Sequence, residues 1–226
     1  MTLPEYNSYS RARLYCHRVA NGFSLIELLT VIGIMALLAG FAIPAIHSIG
    51  GAGDLTGAGY KIQGLFSGAR QNSISKNVLT AVIALKSASD ESAYRTLVAY
   101  ELASKPDGTP LASSDWVQVS KWEQLPTGIV IETNSDTSNF LAASPPMDPP
   151  LPNISYKGKS YSPGSGYSYQ IFMPSGRLKS PPTPCNLNLK AGYYEGGSLK
   201  YTGNGQSNYF NLFLVDATGE TKVTRP

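Results

Sequence analysis

The sequence predicts an α+β fold: one long N-terminal helix packed on a mainly antiparallel β-sheet. Three observations carry this. From Leu28 to Ile46 there is no charged residue, a run of about 19 residues, close to the roughly 20 a helix needs to cross a bilayer. Beyond it, apolar residues recur at steps of three and four as far as Ala69. From Val78 onward, short strand-like runs alternate with turn residues and never with helical patterns, so helix and sheet are segregated along the chain.

Residues 1–22 are polar and basic, with Arg11, Arg13 and Arg18 against Glu5. Residues 23–49 form one apolar helix. A single carboxylate, Glu27, stands inside the apolar block that begins at Phe23. An ionisable group in hydrocarbon is costly, on the order of 2.5–3.5 kcal/mol, and marks a functional position. Pro44 has no N–H for the carbonyl of Gly40, so a kink is expected near Gly40 and Pro44. Gly50, Gly51 and Gly53 weaken the helix, and Asp54 is placed to cap a second stretch. That stretch, within residues 50–77, is amphipathic, with Leu55, Ala58, Ile62, Leu65, Phe66 and Ala69 on one face. Lys76 and Asn77 are its stop signals.

The remainder, 78–226, reads as a β domain. Val78–Leu85 and Tyr94–Glu101 read as strands around the Ser87–Ser92 turn. Trp116–Trp122 and Gly128–Glu132 are weaker strands, split by Leu125-Pro126-Thr127. Tyr167–Phe172, Tyr209–Val215 and Glu220–Thr224 follow, with turns at Pro174-Ser175-Gly176 and Asp216–Gly219. Two stretches rich in Pro, Gly and Tyr, about 142–166 and 179–208, read as long loops, which tend to be functional or disordered. Tyr156, Tyr161, Tyr193, Tyr194 and Tyr201 lie in them; they either pin the loops to the sheet or form a contact surface.

The chain has 226 residues, 42% hydrophobic and 15% charged, which suits one membrane helix and one soluble domain. The net charge is +3. Residues 1–22 hold three arginines and one glutamate, so most of the positive balance lies there and says little about nucleic acid. A basic flank ahead of an apolar helix predicts a cytoplasmic N-terminus and an outward C-terminal domain. Of the two cysteines, Cys16 falls in the basic segment, and Cys185, read as a loop residue, is an incidental thiol rather than a nucleophile.

A short basic leader, Gly22, then Phe23-Ser24-Leu25-Ile26-Glu27 and an apolar run to Pro44 resembles a type IV prepilin or a type II secretion pseudopilin. The resemblance implies a cytoplasmic leader, residues 1–22, cut between Gly22 and Phe23 by a prepilin peptidase, with Phe23 N-methylated. It also implies that Glu27 sets the register of assembly by pairing with a neighbour's terminal amine, and a single-pass inner-membrane protein with a periplasmic domain. Partners by the same resemblance are the peptidase, other pilins or pseudopilins, the secretion or pilus assembly machinery, and membrane lipid. Two other readings of the N-terminus are a Sec signal peptide and a plain anchor, which the mass of the mature N-terminus separates from the first.

A narrower resemblance, to minor pseudopilins of the general secretion pathway protein H and fimbrial T type and in layout to the Verru_Chthon cassette D group, rests on several later segments. They are Gly68–Leu79 at the helix-to-strand junction, Trp122 with Leu125–Ile129, Ile171–Gly176, and Leu212–Val215 before Gly219.

No chemistry beyond this is expected. The two Cys and two His, His17 and His47, lack metal-site spacing, and no P-loop or dinucleotide fingerprint occurs. Asp136, Asp148 and Asp216 are scattered, against a calcium site. Lys157, Lys159, Arg177 and Lys179 give a thin basic patch, so nucleic acid is an unexpected partner. The expected function is thus a non-enzymatic minor pseudopilin without cofactor or metal. The alternative is a minor pilin of a type IV pilus, in adhesion or DNA uptake; a membrane-anchored enzyme is the contrasting class.

Overall fold

The computed structural model describes residues 24–86, 92–105, 109–134, 139–142, 144–179 and 185–225, leaving aside the side chains of 38–53. The chain divides into two compact units, residues 1–46 and 47–226.

In the first unit the backbone is helical from Leu25, the start of helix α1 (Leu25–Lys76). Among the described residues, no helix is long and apolar enough to cross a membrane. Residues 38–49 of the expected span lie outside the described side chains, as do Gly40 and Pro44 of the expected kink and His47.

The second unit is an α+β body. Strands β1 (Thr80–Leu85), β2 (Thr96–Leu102), β3 (Trp116–Gln118) and β8 (Tyr167–Phe172) form one sheet in the order β3-β2-β1-β8, with β4 (Glu123–Gln124) also on β2. A second sheet runs β10-β9-β11-β12, from β9 (Cys185–Glu195), β10 (Ser198–Tyr201), β11 (Tyr209–Leu214) and β12 (Thr221–Thr224), with β5 (Ile129–Ile131) also on β9. Strands β6 (Ile154–Tyr156) and β7 (Lys159–Tyr161) make a separate ribbon. Every described strand pairing is antiparallel.

The amphipathic stripe does what its spacing predicts. Leu55, Ala58, Ile62, Phe66 and Ala69 are buried against Val82, Ala84, Leu97 and Ala99 of the first sheet, and against Leu187, Leu189, Phe210 and Leu212 of the second. The helix ends at Lys76 because Asn77 turns left-handed, at φ 56°. The Val78 N–H then donates to the Ser73 carbonyl at 3.2 Å, which satisfies a carbonyl the helix leaves open.

Three expectations need correction. Asp54 is no N-cap: the helix runs past it, leaving its side chain exposed. The cost of about 1 kcal/mol per helical glycine is offset by the tertiary packing that starts one residue later, at Leu55. Residues 142–166 are not simply loop. They hold β6 and β7, and their Leu151, Ile154, Tyr156 and Tyr161 bury a second core with Ala81, Ile83, Leu85, Val98 and Tyr169 on the other face of the first sheet. Strand β1 is therefore buried at all six positions, as a near-continuous apolar strand between two layers should be. The stretch 179–208 likewise holds β9, the 11-residue strand of the second sheet, and β10. Residues 180–184, within it, lie outside the described residues.

Candidate processing and assembly site

Ser24 and Glu27 open helix α1 as a reciprocal cap. The Ser24 N–H and hydroxyl both donate to Glu27 Oε2, at 2.9 and 2.8 Å, and the Glu27 N–H donates to Ser24 Oγ at 3.3 Å. This is the capping box, in which two orphan helix-terminal donors are satisfied by one Ser–Glu pair. A carboxylate in the first turn also faces the positive end of the helix dipole. Thr30 Oγ1 donates back to the Glu27 carbonyl at 2.9 Å.

Around this cap the helix is apolar on every side. Nine large apolar side chains between Leu25 and Leu37 are exposed, from 46% at Val31 to 81% at Leu25. A soluble helix shows a polar face, whereas one apolar all round has to be covered. Glu27 is the sole charged residue between Ser24 and Leu37. Geometry therefore offers one anionic group, locally satisfied, on an otherwise greasy rod.

The far end of α1 is fixed by polar contacts. Lys76 Nζ donates to Glu101 at 2.8 and 3.1 Å, and Asn72 Nδ2 donates to the same carboxylate at 2.7 Å. Arg70 Nε donates to the Thr218 carbonyl at 2.7 Å. Lys61 pairs with Glu123 at 2.6 Å, at the rim of a cavity of about 390 Å³ floored by Gly64, Leu65, Gly68 and Ala69.

The other candidate residues are scattered. Gly22, Phe23, Cys16, His17 and Asp136 lie outside the described residues. Cys185 is buried at the start of β9, not in a loop, and burial pushes its thiol up to about 12. Among the described residues no group of three or more His, Cys, Asp or Glu could hold a metal. Lys157 caps the Tyr156 ring, and Lys179 reaches the Met147 sulfur at 3.2 Å. Of the loop tyrosines, Tyr156 and Tyr161 are core residues. Tyr194 donates to the Ile131 carbonyl and Tyr201 to Glu132, while Tyr193 is 50% exposed. Sequence reasoning passed over Ser24, although Ser-x-x-Glu ahead of an apolar run is a helix-start signature.

The prokaryotic N-terminal methylation motif matches residues 17–43, a segment that includes Gly22, Phe23, Ser24 and Glu27. No curated protein matches the chain. Among solved structures, the type IV minor pilin FimU of Pseudomonas aeruginosa is similar at 11% identity and a TM-score of 0.43, over 79% of this chain and 96% of that one. The minor pseudopilin EpsH from the type 2 secretion system of Vibrio cholerae is similar at 10% identity and a TM-score of 0.40, over 76% and 98%.

Proposed function

We propose that the chain is a minor pseudopilin, a structural subunit processed by a prepilin peptidase and assembled through its N-terminal helix into a type II secretion-like filament. The observation that carries this is the methylation motif over residues 17–43, laid on a helix start whose one charged side chain between Ser24 and Leu37 is a capped glutamate. A minor pilin of a type IV pilus is built from the same parts, and its motif is the same.

In this reading residues 1–22 are the leader, Phe23 becomes the methylated N-terminus, and residues 23–49 anchor the chain in the inner membrane with the β domain outside. The exposed apolar side chains from Leu25 to Leu37 are covered first by lipid and then by neighbouring helices. Ser24 holds the Glu27 carboxylate while the subunit is alone. In the filament a neighbour's terminal cation takes that carboxylate, an exchange favoured only where geometry is good and dielectric low.

The test is the intact mass of protein extracted from native membranes. The expected species begins at Phe23 and carries one added methyl group. A mature chain beginning near Ala39 or Ala42 would instead indicate signal-peptide cleavage, and an uncut chain a plain anchor. Either result overturns the proposal.

A further inference from the structure

Residues 202–208 join β10 to β11 with no apolar side chain to hold them down: they read Thr-Gly-Asn-Gly-Gln-Ser-Asn. Their own hydrogen bonds are local. Gly205 N–H donates to the Thr202 carbonyl, and the N–H groups of Ser207 and Asn208 both donate to the Asn204 carbonyl. Among the described residues, two hydrogen bonds tie the segment to the sheet. Thr202 N–H donates to the Ala191 carbonyl at 3.1 Å, and Lys190 Nζ donates to the Gln206 carbonyl at 2.6 Å.

Lys190 is the unusual member. It is only 7% exposed, and a buried cation needs partners. Besides the Gln206 carbonyl it has the rings of Tyr201 and Tyr209, with centroids 5.6 and 5.4 Å away. Glu132, also buried, meets the same Tyr201: it accepts from the Tyr201 hydroxyl at 3.2 Å and from Asn188 Nδ2 at 2.7 Å. If the segment lifts, water replaces the Gln206 carbonyl at the ammonium, and the one buried residue the segment gives up is Gly205, which packs on the Ala191 main chain. Both states satisfy the charge, so no buried unpaired ammonium stands in the way of a local opening.

We infer that residues 202–208 are a strap latched by Lys190, which opens with the second sheet intact and uncovers the Lys190 ammonium between the rings of Tyr201 and Tyr209. This holds whichever filament the chain serves. The occluded group, an ammonium flanked by two aromatic rings, is thereby gated by the chain itself.

Hydrogen exchange followed by mass spectrometry on the full chain in detergent micelles tests it. In wild type, amides of 202–208 should exchange by a local opening insensitive to low denaturant, while those of β9 and β11 wait for global unfolding. Lys190→Met keeps the apolar stem and removes the donor. It should speed exchange in the strap about tenfold or more, the loss of a hydrogen bond from a charged donor, and leave β9, β11 and β12 unchanged. Gln206→Ala should change nothing, because the acceptor is main chain. The inference fails if the wild-type strap exchanges only together with β9 and β11. It fails equally if Lys190→Met leaves strap exchange unchanged or accelerates the whole sheet with it, or if Gln206→Ala opens the strap as much as Lys190→Met.

Discussion

Gly59 and Gly64 lie on the same helix and answer to opposite constraints. A Cβ on Gly64 would meet no atom within 4 Å, whereas one on Gly59 would fall on the Phe210 ring. That ring is already held by the edge of Tyr60 at 5.6 Å and by the Arg225 guanidinium at 5.5 Å, so it has little room to retreat. Alanine gains about 1 kcal/mol over glycine in a helix interior, while overpacking costs about 1–3 kcal/mol. Gly64→Ala should therefore raise the denaturation midpoint and Gly59→Ala lower it, although helix propensity alone gives both the same sign. Equal shifts would refute the close approach of helix and sheet at Gly59. Cys185 gives a second residue-level prediction. With its thiol pushed up to about 12 by burial, almost no thiolate exists at pH 8. Iodoacetamide should label the processed, native protein no faster than it unfolds; rapid labelling would place the thiol at the surface. The cap at Ser24 and the buried cation at Lys190 also belong to this scale, and both were poorly legible. The first had a signature, Ser-x-x-Glu. The second had none, since only the fold brings Gln206, Tyr201 and Tyr209 around Lys190.

Elements were legible where one period dominates. The stripe from Leu55 to Ala69 steps by three and four, and strands β1, β2, β8 and β11 carry apolar or β-branched runs ended by turn residues. Strands β6 and β7 were hidden for a physical reason: they are three residues each and lie in a Pro- and Gly-rich stretch, with Leu151, Ile154, Tyr156 and Tyr161 at no constant step. Strand β9 did carry the alternation of Asn186, Leu187, Asn188 and Leu189, masked by the prolines before it. The junction of helix and sheet adds a prediction. Burial alone would raise the Glu101 carboxyl, but the hydrogen bonds from Lys76 and Asn72 together with the Lys76 charge outweigh it and leave it below the ordinary carboxylate range. A carboxyl depressed in the folded state stabilises above its unfolded pKa, about 4.3, and loses that contribution as pH falls through the folded value. Lys76 is half exposed, so the pair contributes only about 1 kcal/mol. Denaturant titrations of wild type and Glu101→Gln should accordingly differ most above about pH 5 and converge only as pH falls past about 4.3 and through the lower folded value. Curves that stay parallel down to acid would show that the carboxylate contributes nothing through its charge.

At the scale of the whole molecule, the two units carry different chemistry. The β unit buries its apolar residues in two cores of its own, whereas the described N-terminal helix leaves nine large apolar side chains uncovered. Folding of the β unit therefore does not depend on Glu27, and assembly, in the function proposed above, does. The capping box gives that carboxylate two donors within one chain, so the acid is already hydrogen-bonded before any neighbour arrives. Any assembly role then has to outcompete Ser24. Glu27→Ala removes the acid and half of the capping box, at a cost of about 1 kcal/mol to the helix start. The expected phenotype is selective: the chain is still cut and methylated at Phe23 and the β unit melts at the wild-type temperature, but crosslinking in membranes no longer yields the oligomer ladder of wild type. Ser24→Ala, which removes the competitor and leaves the acid, should still yield the ladder. If Glu27→Ala chains crosslink as well as wild type, the apolar helix alone drives association and the glutamate is only a cap.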